Sequence, residues 1–221
     1  MYFLLSYGAY SQLYRCKVES DGICETRTIT RVYDGAPAIA HGAFSVQDGK
    51  ALLSQSTGTG IQNIDICDLG SGTCTPTRHT ITLARISGTE PSIGNDIVYD
   101  PSNSNYVYVT SEESTGPAQS GRVQRCLLGG GCSLYNMGGN FDVDRIIGLS
   151  IKSTTPRRIA TVKGLSGNTI VECSLATTTP SDCSTKDVPP LDGPISRRIT
   201  ALKYDDTSNR LYVLITTPVT D

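Results

Sequence analysis

The sequence predicts an all-β fold, a propeller of four-stranded antiparallel blades, and three observations carry that prediction. The apolar stretches are short, β-branched and alternating, as in YVYVTS (106–111), RLYVLIT (210–216) and TITLARI (80–86), and helix signals are nearly absent. Turn clusters such as DPSNSN, STGPAQSG and LLGGGC separate these stretches. Eight cysteines fall into four close pairs: Cys16/Cys24, Cys67/Cys74, Cys126/Cys132 and Cys173/Cys183. Successive pairs begin 51, 59 and 47 residues apart, a period that suits one propeller blade.

The rest of each unit lines up around the cysteines. First strands are AFSVQ (43–47), DIVYD (96–100), GLSIK (148–152) and ALKYD (201–205). In them Phe44, Ile97, Leu149 and Leu202 share one register, and Val46, Tyr99, Ile151 and Tyr204 lie two residues on, hence on the same face. A polar turn (DGK, DPSNSN, STTPR, DDTSNR) leads into second strands ALLSQS, YVYVTS, RIATVK and LYVLIT. Third strands end at the first cysteine of each pair (QLYRC, NIDIC, RVQRC, TIVEC), and fourth strands begin at the second. The blades so read span about 1–33, 36–84, 92–138 and 144–190, with a partial fifth over 195–221.

Each cysteine pair therefore flanks a hairpin between third and fourth strands, its two members expected as cross-strand partners. The enclosed stretches of seven, six, five and nine residues carry Gly or Pro turn chemistry. Facing positions on antiparallel strands bring Cα atoms within disulfide reach. The expected disulfides are Cys16–Cys24, Cys67–Cys74, Cys126–Cys132 and Cys173–Cys183. Such short loops make each bridge worth about 2–3 kcal/mol, and the expected role is to pin an outer edge strand with few neighbours. Zinc is the competing use, but every pair is wider than C-x₂₋₄-C and the chain has only two histidines.

The segment IVYDPSNSNYVYVTS (97–111), and after it ALKYDDTSNRLYVLIT (201–216), resembles blades of the NHL and YVTN type of β-propeller. In that pattern a strand ending near Y-D-P passes through a Gly/Asn/Ser turn into Y-V-Y-V-T. The resemblance covers the first two strands of each unit. The cysteine hairpins are not part of that family's pattern.

Strand counting gives five second strands but four first strands, because YFLLSYG (2–8) has no first strand ahead of it. The last unit stops after its second strand, LYVLIT. In a propeller closed by its termini, one end completes what the other lacks, whereas here both ends offer a second strand. The expectation is a segment of a larger, five- to seven-bladed propeller, completed by further chain or a neighbouring subunit. A five-bladed ring with one half-blade is the alternative.

Composition excludes several functions. A formal charge of −2 and a pI near 5.7 leave no basic field for nucleic acid or an anionic membrane. There is no apolar run long enough to span a membrane. Paired cysteines point to an oxidising, extracellular or cell-surface setting. MYFLLSYGAY lacks a basic leader and a full apolar core, so a secretion signal would lie outside this chain.

Catalytic constellations are sparse. His79, in TRHTI, reads as a solvated residue on an outer strand, and no G-x-S-x-G is present. The residues just ahead of the first strands are His41, Asn95, Asp96, Asp144, Arg145, Arg197 and Arg198. Propeller geometry gathers such loops at the channel mouth, the usual place for a ligand. The arginines could receive a carboxylate, sulfate or anionic sugar, or could pair with Asp142, Asp144 or Asp192 and hold loops. Lactonase-type propellers hold a divalent metal in the channel, and Asn95, Asp96, Asp142 and Asp144 occupy suitable positions, although an Asp or Asn before a strand is more often turn chemistry. Carbohydrate binding fits the compartment, but Trp is absent and only Tyr offers a stacking platform. The expectation is a non-catalytic extracellular interaction or scaffold module, without cofactor or metal, recognising a protein or matrix partner. A channel-centred hydrolase and a carbohydrate-binding propeller are the alternatives.

Overall fold

The computed structural model describes residues 2–7, 10–20, 23–25, 30–34, 41–56, 60–70, 74–85, 91–115, 118–135, 137, 146–163, 169–188 and 198–216. Three sheets have four antiparallel strands in simple sequential order. They are β4 (His41–Gln47), β5 (Lys50–Ser56), β6 (Ile61–Asp68) and β7 (Thr77–Thr82); β8 (Ser92–Tyr99), β9 (Tyr106–Thr115), β10 (Ala118–Leu127) and β11 (Cys132–Tyr135); and β12 (Ile146–Lys152), β13 (Arg158–Lys163), β14 (Thr169–Ser174) and β15 (Ser181–Asp187). Ahead of them β1 (Tyr2–Tyr7), β2 (Tyr10–Arg15) and β3 (Thr30–Asp34) form a three-stranded sheet, and after them β16 (Arg198–Asp205) and β17 (Arg210–Thr216) form a two-stranded one. These are blades 1 to 5 below. The first strands stand side by side, β4 against β8, β8 against β12 and β12 against β16. The molecule is an all-β, propeller-like array of repeated blades. Ile199–Tyr204 pairs with β17, and β1 pairs with β2, so the first and last sheets are separate.

Local chemistry sets the hairpins. Asp48 and Gly49, at φ 50° and 71°, form the two-residue link between β4 and β5, and two positive φ values in succession are what Asp-Gly supplies most readily. In blade 3, Asp100 accepts hydrogen bonds from Ser102 N (2.8 Å) and Ser102 Oγ (2.5 Å), fixing the DPSNSN turn. In blade 5, Asp205 does the same for Thr207 N at 2.9 Å and Ser208 Oγ at 2.5 Å.

The core lies between the blades. Phe44 and Val46 face blade 1, packing with Leu13, Ala51 and Leu53. Ile97 and Tyr99 face blade 2 and its Leu52, Ile64 and Ile81. Leu149 and Ile151 meet Val98, Tyr108 and Val123 of blade 3, and Leu202 and Tyr204 meet Ala160, Val162 and Ile170 of blade 4. A central blade is thus apolar on both faces, and second strands read accordingly. Ala51, Leu52, Leu53 and Ser54 are all buried, as are Val107, Tyr108, Val109 and Thr110. Each fully buried Leu, Ile or Val contributes about 1.5–3 kcal/mol.

All four expected disulfides are present, Cys16–Cys24, Cys67–Cys74, Cys126–Cys132 and Cys173–Cys183, each within one blade, and none of the eight cysteines is free. The expectation that every fourth strand begins at the second cysteine, facing the first, needs correction. It holds in blade 3 alone, where Cys132 opens β11 as the direct cross-strand partner of Cys126, with Cα atoms 4.0 Å apart. In blade 4 the strand starts earlier, at Ser181, and Cys183 lies inside β15 opposite a register shift at Cys173.

In blade 2, Cys74 stands outside the ladder, which closes at Ile66–Thr77. Continuing that register would set Cys67 against Pro76, and a proline has no N–H to give a rung. The Cys67–Cys74 bridge therefore spans the loop beyond the strand, at a wider Cα separation of 5.2 Å. In blade 1, Cys24 likewise stands ahead of β3 and forms an isolated bridge with Val18, two residues past Cys16. Glu19 N donates to Ile23 O and Glu25 N to Lys17 O, both at 2.9 Å, so the loop closes a small hairpin of its own. Cys16 and Cys24 join across it diagonally, with Cα atoms 5.6 Å apart.

The bridges do more than pin an edge, because Cys67, Cys126 and Cys173 are buried in interface packing. The Cys126–Cys132 hairpin also docks outward, with Thr82 N of blade 2 donating to Gly130 O at 2.9 Å. Gly129 turns there at φ +84°, a conformation that side chains disfavour.

Replacing both Cys126 and Cys132 by Ala will lower unfolding free energy by about 2 kcal/mol from loop closure alone. The loss will grow because a buried bridge leaves the blade 2–blade 3 interface. Urea unfolding under oxidising conditions measures it, and a change below about 1 kcal/mol would contradict this role.

Candidate functional site

All four first strands run in the same sense, so their leading ends line one side of the array, and each carries an irregularity there. Register shifts occur between His41 and Ala43, Ile93 and Ile97, Ile147 and Leu149, and Ile199 and Ala201. A bulge leaves backbone groups without ladder partners, and the second strand answers with a hydroxyl. Ala43 N donates to Ser54 Oγ at 2.9 Å, Asp96 N to Thr110 Oγ1 at 3.1 Å, and Thr161 Oγ1 donates to Gly148 O at 2.7 Å. Gly148 has φ +80°, which suits the one residue without a Cβ.

Asp96 is the described acidic side chain of this row. Its Oδ2 accepts from Leu149 N, the first residue past the bulge of the next blade, at 3.0 Å. Burial pushes the carboxyl from its ordinary 3.8 up to about 7, against the lowering effects of the Leu149 hydrogen bond and the positive charge of Lys203. Comparable ties join the next pair, where Tyr204 N donates to Ser150 Oγ at 2.9 Å and Ser153 N to Asp206 Oδ1 at 2.9 Å. Ser153 Oγ also donates to Asp206 Oδ2. Between blades 2 and 3, Gln124 takes the part of a strand: Ala84 N donates to its Oε1 at 2.8 Å and its Nε2 donates to Ala84 O at 2.9 Å.

The sequence-derived site residues are placed as follows. His41 begins β4, Asn95 and Asp96 fall inside the β8 irregularity, and Arg198 begins β16. Asp144, Arg145 and Arg197, with Asp142 and Asp192, lie outside the described residues. The described members, His41, Asn95, Asp96 and Arg198, stand at the leading ends of their first strands, and Asp96 is committed to the neighbouring blade. Its reach to Leu149 had no signal in the sequence, because it depends on a bulge in each of two strands 53 residues apart. His79, read as solvated, is half-buried on β7. Ion pairs went unforeseen as well: Arg78 holds Asp65 through two hydrogen bonds of 2.8 and 2.9 Å, and Arg125 holds Asp100 at 2.7 Å.

No family model matches the chain, and no curated protein matches it. Among solved structures it is similar to the crystal structure of the computationally designed Ika8 protein, with 13% sequence identity and a TM-score of 0.40. That similarity covers 95% of this chain and 56% of the other, so the chain spans little more than half the length of that structure.

The Asp96 carboxyl makes stability depend on pH. Between pH 3.8 and about 7 the folded chain holds a proton that the unfolded chain has released. The stabilisation is full below pH 3.8 and is lost as pH rises through about 7. Every tenfold difference in proton affinity is worth about 1.4 kcal/mol, so the loss is on the order of a few kcal/mol. Asp96→Asn keeps an acceptor for Leu149 N and will flatten the decline in urea midpoint between about pH 4 and pH 7. An unchanged pH profile in that variant would place the titration elsewhere.

Proposed function

We propose that this chain is a non-catalytic extracellular interaction or scaffold module, presenting rigid loop and cleft surfaces to a protein or matrix partner. Its four disulfides are those of an oxidising compartment. The supporting observation is how the buried polar side chains are used. Asp96, Gln124, Ser150 and Asp206 reach across blade boundaries to backbone groups of the neighbouring blade. A framework so tied favours fixed geometry over the loop closure that many enzymes need. The blade plan supports a place beside propellers of the NHL and YVTN type.

One observation favours a second reading. A carboxyl raised to about 7 in the irregular start of a first strand is the kind of group that acid–base chemistry uses. On this reading Asn95, Asp96, Asp142 and Asp144 would serve a lactonase-like hydrolase holding a divalent metal. Among the described residues no three His, Cys, Asp or Glu side chains converge on a metal position.

The two readings separate in one pair of assays. The oxidised chain is presented to arrays of extracellular proteins and glycans, and is incubated with lactone, ester and phosphoester panels in calcium or magnesium. Saturable binding to a protein, kept by Asp96→Asn, is the expected result. Metal-dependent turnover that Asp96→Asn abolishes would replace the module by the hydrolase, and saturable binding to glycans alone would replace it by the carbohydrate reading.

A further inference from the structure

The repeat places four equivalent positions around the same point of successive blade interfaces. Two belong to the leading blade's second and third strands, one to its fourth strand and one to the following blade's first strand. Between blades 4 and 5 these are Arg158, Glu172, Lys186 and Tyr204. Arg158 pairs across from Ser174 just past Cys173, and Glu172 directly precedes that cysteine. Tyr204 Oη donates to Glu172 Oε1 at 2.5 Å, and Arg158 Nη1 lies 3.1 Å from the same oxygen. Burial pushes the Glu172 carboxyl up, but the hydrogen bonds from Tyr204 and Arg158 and the attraction of Arg158 and Lys186 outweigh it and hold it below the ordinary range. The interface carries a carboxylate inside a ring of donors.

Between blades 2 and 3 the register assigns the same four positions to Lys50, Ile66, His79 and Tyr99. Lys50 pairs with Asp68 just past Cys67, Ile66 precedes that cysteine, and Ile64 pairs with His79 as Ile170 pairs with Lys186. Three of the four keep donor chemistry: a lysine for the arginine, a histidine for the lysine, and a tyrosine in place. Only the carboxylate is missing, replaced by isoleucine. The four residues line a cleft of about 510 Å³, open to solvent beside Leu127. Tyr99 is 6% exposed and its phenol is pushed up to about 12 by burial, so it remains an O–H donor. Among the described residues none accepts from that hydroxyl or pairs with Lys50. The Tyr99 hydroxyl opens on the cleft and is not sealed off without a partner, so it and the Lys50 ammonium stand there as two convergent donors suited to an anionic acceptor.

We propose that the cleft between blades 2 and 3 binds a carboxylate from outside, the glutamate side chain of a partner polypeptide, in the position that Glu172 fills internally between blades 4 and 5. A single cation and an apolar wall of Ile66 and Leu127 suit one carboxylate on an aliphatic stem better than a polyanionic sugar. This site rests on the interaction-module reading and specifies its partner chemistry.

The probe is acetyl-Gly-Glu-Gly-amide, followed through the NMR signals of Tyr99 and His79 in the full oxidised chain. Saturable shifts are expected with the glutamate peptide and not with its glutamine counterpart. Lys50→Gln and Tyr99→Phe will each weaken binding about tenfold. Ile66→Glu will abolish it by supplying the carboxylate from within. Near-UV circular dichroism and thiol titration verify that each variant retains its fold and bridges. Equal binding of both peptides, indifference to the three substitutions, tighter binding of glucuronate, or no binding at about 10 mM peptide each overturns the proposal. Loss of peptide binding while a protein on the array still binds would sink this site alone. Peptide binding with no protein partner on the array would spare the site and sink the module.

Discussion

An isolated four-stranded sheet of this sequence would leave an apolar face in water on each side, because its second strand is apolar at successive positions. Blade 3 shows the constraint most fully. Val107 and Val109 turn to blade 2 while Tyr108 turns to blade 4, and all three are fully buried. Face-to-face packing of one twisted sheet on the next is therefore the condition for any blade to be stable. The other features follow from it. First strands must run in one sense, side by side. Their starts must gather on one side of the array, and their ends, with the Asp-rich turns, on the other. Three of the cysteine bridges, those of blades 2, 3 and 4, occupy the same packed layer, so they serve both the hairpin that they close and the interface that they fill.

A layer so closely packed leaves few places for polar groups, and the chain uses those places to join blades. Where a first strand bulges, its stranded amide or carbonyl is taken by a hydroxyl of its own second strand, as at Ser54, Thr110 and Thr161. Where two blades meet, a side chain of one addresses the backbone of the other: Asp96 to Leu149, Ser150 to Tyr204, Gln124 to Ala84. These bonds are directional, unlike the apolar contacts around them, and a buried donor without its acceptor costs about 1–3 kcal/mol. They fix the rotation of one sheet against the next, which apolar packing alone determines loosely.

Much of this was legible in the sequence. Alternating β-branched runs, Asp-Gly and Asp-Pro turns and the cysteine period are local signals, and they give the strands, the hairpins and the bridges of the repeat. The paired positions Ile97/Tyr99 and Leu202/Tyr204 could be assigned to one face because a strand alternates with period two. Where each fourth strand begins was less legible, since cysteine spacing fixes a closure but not a rung. Cys74 and Cys24 close their loops from outside the ladder, and only the proline at 76 hinted at this. Blade-to-blade chemistry was not legible at all. Nothing near Asp96 in the chain marks it as a partner of Leu149, and nothing near Gln124 marks it as a partner of Ala84, 40 residues away. Such contacts depend on which strand of a neighbouring unit faces which, and that is settled only when register and bulges are known. The burial that distinguishes Asp96 within its row belongs to the packed interface and not to its place in the chain.

The repeat can then be read as substitutions made at one site on a fixed backbone. The residue before the first cysteine is Ile66 in blade 2, Arg125 in blade 3 and Glu172 in blade 4, each on the face turned to the next blade. Arg125 finds an acid in its own blade, Asp100, with its guanidinium 3.6 Å from the centre of the Tyr106 ring. Its charge is thus paired and stacked, and nothing is asked of blade 4, which offers Ile151 at the facing position. Glu172 draws its donors from both sides, Arg158 within its blade and Tyr204 from blade 5. Ile66 can satisfy nothing, yet blade 3 still presents Tyr99 and blade 2 still presents Lys50. Phenylalanine would fill the same volume, so the Tyr99 hydroxyl, which opens on the cleft, is a donor that packing alone does not require. The polar half of the arrangement has been kept where its internal partner is absent, and that asymmetry distinguishes the blade 2–blade 3 cleft from the other two.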